Sequence, residues 1–136
     1  MVRKLTFGFA LLFIWVVASG YVPQFITYDG SDRIQFGLFR LSVIDDVTHG
    51  VTALAALVAS LVSLRLSLLF LTAFGFYYAL DAIFYLTYGL FNDKGLVPNL
   101  LLNLPHVLIS TAMLGMVYYL APRWRAAGRE GGSSVG

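Results

Sequence analysis

Four long apolar runs decide what this chain can become: residues 5–22, 43–64, 66–90 and 104–121. An apolar stretch of about 18 residues or more reads as a membrane-crossing helix, because only a helix satisfies its own backbone inside hydrocarbon. The rest of the composition agrees. Of 136 residues, 59% are hydrophobic and 12% charged, too few charges to coat a soluble domain of this size. The predicted fold is an all-α membrane protein, a four-transmembrane-helix bundle over residues 1–122. A flexible basic tail, 123–136, follows it.

The first run follows Arg3 and Lys4 and could be taken for a signal peptide with Val17-Ala18-Ser19-Gly20 as its cleavage site. It is long for that, and Trp15 sits where an interfacial anchor belongs, so a retained span is expected. The polar connection 23–42 has an ambiguous period. Ile34, Leu38 and Leu41 share a helical face, while Ile34, Phe36 and Leu38 alternate as in a strand. Either form suits a segment lying in the headgroup layer. Asp45 or Asp46 is the expected N-cap of the second span, and Ala53, Ala56, Ser60 and Ser63 make a small-residue stripe for close helix approach. Asn92-Asp93-Lys94-Gly95 and Pro98 mark a loop, after which Asn103 caps the fourth span with Pro105 in its first turn.

Charge sets the orientation. With four spans, Arg3, Lys4, Arg65, Arg123, Arg125 and Arg129 share one side with the single acid Glu130. Arg33, Arg40 and Lys94 share the other with Asp29, Asp32, Asp45, Asp46 and Asp93. The positive-inside rule makes both termini cytoplasmic, in a bacterial inner membrane. Self-association or membership of a larger membrane complex is expected alongside the lipid bilayer. No basic-aromatic face of the kind nucleic acid requires is present.

The polar residues that chemistry would need are few. Two histidines occur, each in an Asx-x-x-His motif with a small residue four places on: Asp46, His49, Ala53 and Asn103, His106, Ser110. Read as heads of the second and fourth spans, the motifs place both imidazoles about one turn inside the same interface, 5–6 Å deep. Phe7-Gly8-Phe9, Gly37-Leu38-Phe39 and Asp46-x-x-His49 recur in order as Phe74-Gly75-Phe76, Gly89-Leu90-Phe91 and Asn103-x-x-His106. That order suggests two hairpins related as a parallel repeat. Asp81 lies well inside the third span, where an ionised carboxylate costs on the order of 3 kcal/mol or more. Tyr78, Tyr85 and Tyr88 fall on its face. Counting along the expected spans sets Asp81 deeper than either histidine, with side chains leaning apart, so Thr52, Ser60, Ser110 or Thr111 are its expected partners.

The motif resembles a family of small bacterial four-helix membrane proteins of no established activity. Their second span opens with Asn-x-x-His-x-x-x-Gly after a Gly-Leu-Phe-like segment. Here Gly37-Leu38-Phe39, Asp46, His49 and Ala53 correspond, with Asp for Asn and Ala for Gly. The resemblance implies four spans and no activity.

Three functions stay open. The first is a non-catalytic membrane protein with an outward-facing site between spans two, three and four, binding a lipophilic small ligand or partner helix through His49, His106, Asp81, Tyr85, Tyr78, Ala53 and Ser110. The second is an electron-transfer subunit holding haem b or a quinone through His49 and His106. The third is a small proton-coupled transporter using Asp81. A metal ion on His49, His106 and Asp46 is a further option. The spacing offers no catalytic nucleophile or Gly-rich phosphate loop, and no Cys is present for disulfide or thiolate chemistry.

Overall fold

A computed structural model describes residues 1–91 and 96–122. Four helices are long and apolar enough to cross a membrane. They are α1 (Val2–Ser19), α2 (Val43–Val62), α3 (Leu64–Phe91) and α4 (Leu96–Gly115), the last continued by a π-helical segment, Met116–Leu120. The chain divides into two compact units, one over Arg3–Ser67 and the other from Leu68 onward.

The first unit pairs α1 with α2 through a small antiparallel sheet, β1 (Ile26–Asp29), β2 (Asp32–Gln35) and β3 (Phe39–Leu41). The ambiguous period of the connection thus resolves as strand. Tight turns carry it, with Gly30 and Gly37 at φ +62° and +68°, a region glycine enters without steric cost. Phe36 also sits at φ +53°, strained for an aromatic residue. Its ring is held by stacking on Trp15 at 5.8 Å and tilting on Phe25 at 5.3 Å. Gln35 is buried under the sheet and donates to Val16 O (3.1 Å) and Ser19 Oγ (2.6 Å), tying β2 to the last turn of α1.

Caps define α2. Its N-cap is Ser42, not an aspartate: Asp45 N donates to Ser42 Oγ (3.1 Å) while Ser42 N donates to Asp45 Oδ2 (2.9 Å), a reciprocal capping box. Asp46 is left free for a different task. At the far end Arg3 donates to the carbonyls of Ser60 and Leu61, the unpaired C-terminal acceptors of α2. Of the small-residue stripe, Ala53, Ala56 and Ser60 are buried, together with Thr52 and Ala59, while Ser63 is half-buried. Ser63 then breaks the helix in extended backbone and caps α3 by accepting from Leu66 N at 3.1 Å.

The second unit is the α3–α4 hairpin. Buried positions on α3 from Leu68 onward are Phe70, Leu71, Gly75, Tyr78, Ala82 and Gly89; on α4 they are Asn99, Asn103, Ser110 and Met113. Steps of three and four residues make an antiparallel seam. A Cβ on Gly75 would meet Leu114 at 2.9 Å, and one on Gly89 would meet the Asn99 carboxamide at 2.3 Å, so both glycines permit close approach. The fourth helix begins at Leu96, eight residues before the predicted start, so neither Asn103 nor Pro105 lies at a terminus. The loop head at 92–95 and the basic tail 123–136 fall outside the described residues.

Candidate functional site

The early start of α4 changes the depth of its histidine. His106 lies ten residues past Leu96 and Asp81 ten residues before Phe91, so each is about 15 Å along its helix from the connecting end. The two groups are therefore level, and His106 Nδ1 sits 3.2 Å from Asp81 Oδ2. The predicted separation of Asp81 from the histidines is overturned for His106, because the count had started α4 too late. Three of the four expected hydroxyl partners donate within their own helices. Ser110 Oγ donates to Val107 O (3.1 Å), Thr52 Oγ1 to Thr48 O (2.8 Å) and Ser60 Oγ to Leu57 O (2.7 Å).

Tyr78 completes the group. It is 1% exposed, and its ring stacks on His106 at 5.6 Å and 20°. The stack fixes the imidazole plane. In that plane Nδ1 is shut off from solvent and has no aligned hydrogen bond among the described residues. Its approach to Asp81 is thus close in distance but out of line for a directional bond. A buried polar atom left unbonded costs about 1–3 kcal/mol. Between residues 68 and 91, and again between 96 and 122, the sequence has no Lys, Arg or Glu, and no Asp or His besides this pair.

Two asparagines join α4 to α3 near the pair, Asn103, expected at a cap, and Asn99, which the sequence does not single out. Asn99 Nδ2 donates to Leu86 O at 2.7 Å; Asn103 Nδ2 donates to Asn99 O at 2.9 Å and to Asn99 Oδ1 at 3.0 Å. Both asparagines are buried in the seam above His106. Asn103 caps nothing. The tyrosine stripe splits, since Tyr85 and Tyr88 are about half exposed and pack on Phe84.

In the first unit His49, six residues into α2, stacks on Phe13 at 5.9 Å and 23°. Ala53 lines an open apolar groove of about 350 Å³ with Ile14, Val17, Ala18, Gly50, Leu54 and Leu57. Asp46 is engaged elsewhere: its Oδ2 accepts from Arg33 at 2.6 Å and from the Tyr21 hydroxyl at 2.8 Å. Arg33 also reaches Gly20 O at 3.3 Å and lies over the Tyr21 ring. The hydrogen bond to Asp46 holds the Arg33 guanidinium above its ordinary pKa, with burial opposing it. Among the described residues no three His, Cys, Asp or Glu side chains gather as a metal ligand set.

The two motifs therefore occupy like settings within their own units. Each histidine stacks on an aromatic residue of the preceding helix, and Ala53 and Ser110 are both buried. The second has Asp81 beside the ring. The chain matches no family model, no curated protein and no solved structure, so the resemblance drawn from the Asx-x-x-His motif stays an expectation.

Proposed function

We propose that this is a small bacterial inner-membrane protein that handles protons within the bilayer, with Asp81 and His106 as its protonatable couple. One observation carries the proposal: the 3.2 Å approach of an imidazole to a carboxylate, level with each other inside two apolar helices. Ionisable groups at such depth are costly and serve ion or proton pathways. Taking up one proton, the couple passes from carboxylate–imidazole to carboxylate–imidazolium or acid–imidazole, and releasing that proton returns it to the start. Tyr78 keeps the ring facing the acid. No bond is made or broken apart from those to the proton, so the protein acts as a proton-coupled component and not as an enzyme. The arginine-rich side of the sequence supports cytoplasmic termini.

Reconstituted in liposomes with a pH-sensitive dye inside, the protein should carry a proton flux driven by membrane potential. Asp81→Asn should reduce it to the leak of empty liposomes while helix content and thermal unfolding stay unchanged. Flux that persists in Asp81→Asn would remove the proposal.

A second reading is favoured by the groove around Ala53, whose apolar walls suit a lipophilic ligand. A spin-labelled fatty acid should show a motionally restricted population with the native protein. Ala53→Phe, which fills the groove, should release it.

A further inference from the structure

We infer that the Asp81–His106 couple exchanges its proton through the end of the hairpin where α3 passes into α4, and that Asn103 keeps this route polar. The inference rests on the proton-handling reading above and gives it a side.

The seam between α3 and α4 differs in kind on the two sides of the couple. Toward the connection, Asn103 stands three residues ahead of His106 and Asn99 seven, about 4.5 and 10 Å along the helix. Both are buried, and their carboxamides form a chain from Asn103 through Asn99 to the Leu86 carbonyl. A carboxamide offers donors and acceptors to water without taking charge itself, and a water held by such groups is nearly as well bonded as in bulk. Toward the other end, the Ser110 hydroxyl is spent on Val107 O. Beyond it Met113 and Leu71 are fully buried, and Gly75 has no room for a Cβ against Leu114. A proton leaving that way meets closer packing and, among the described residues, the hydroxyls of Ser110 and Thr72 that already donate within their own helices. Of the other titratable groups on these two helices near the couple, Tyr78 is stacked on the ring, and Tyr77 and Tyr85 are about half exposed.

The test uses the full chain in vesicles of one orientation, with pH jumped on one face at a time. The infrared carbonyl band of Asp81, identified by its loss in Asp81→Asn, reports protonation. The band should change promptly after a jump on the face holding the α3–α4 connection. After a jump on the other face it should change slowly, because the close-packed side is the limiting step of the flux. Asn103→Leu should slow the prompt response roughly tenfold or more, and Asn103→Gln should keep it. Asn103→Ala, too small to strain the seam, checks that a slow Asn103→Leu is not merely misfolded, and it too should be slow. A prompt response from the face where α3 begins, or an unchanged rate in both Asn103→Leu and Asn103→Ala, would overturn the inference. A band that never changes while the protein stays folded would fell the proton-handling reading itself, and the inference with it.

Discussion

Gly89 shows how much of the site hangs on one absent methyl group. A Cβ there would lie 2.3 Å from the Asn99 carboxamide, which is pinned to Leu86 O and Asn103. It cannot swing aside without losing those bonds. Gly89→Ala should therefore lower stability by about 1–3 kcal/mol, outweighing the roughly 1 kcal/mol that alanine ordinarily adds to a helix. Gly8→Ala is the control, because an added Cβ at Gly8 meets nothing within 4 Å. Its effect should be neutral or stabilising. Unfolding of the two variants in the same detergent, followed by circular dichroism, separates them. Neither glycine is distinguishable by sequence alone, since each lies in a Phe- or Leu-flanked apolar run. What differs is the neighbour across the seam, and no local pattern encodes it.

Among the elements, the sheet of the first unit fastens α1 to α2 by charge as well as by packing. Arg33 of β2 bridges Asp46 of α2 and the Gly20 carbonyl after α1, with its side chain 24% exposed. Because its folded pKa is raised above arginine's ordinary value, the stability it contributes is fully present below that ordinary value and lost only as pH climbs beyond the folded one. From neutral pH upward, the difference between the native protein and Arg33→Ala should stay level at about 1–2 kcal/mol. Arg33→Lys should instead weaken progressively as pH passes about 10, where lysine begins to lose its proton. Thermal midpoints measured along a pH series check both statements.

The element boundaries also explain what the sequence could reveal. Hydropathy located all four helices, but turn residues misled at α4. Asn99 and Asn103 resemble loop and cap residues, yet both are bonded inside the seam. Eight residues of error at that start displaced His106 by about 12 Å along its axis and hid its meeting with Asp81. The capping box of α2 was missed more narrowly, because Ser42 and Asp45 carry its signature in plain view.

At the scale of the whole molecule, composition alone implies a multi-pass membrane protein, and four helices of sufficient length and apolarity agree. An even number of crossings returns the chain to its starting side. A reporter enzyme fused after Gly136 should therefore be active in the cytoplasm and silent when it requires export. A reporter inserted between Gly30 and Ser31 should behave in the opposite way. Activity of the C-terminal fusion outside the membrane would reverse the orientation drawn from the arginines.

The unequal lengths of α1 and α3 have a consequence for where such a protein settles. With 18 and 28 residues they measure about 27 and 42 Å, against roughly 30 Å of hydrocarbon. No one lipid thickness suits both. A thin leaflet pair suits α1 and leaves the ends of α3 protruding; a thick one shelters α3 and drags the ends of α1 inward. The chain thus carries two rulers of different length, and acyl-chain length becomes a variable to which its two hairpins respond in opposite senses.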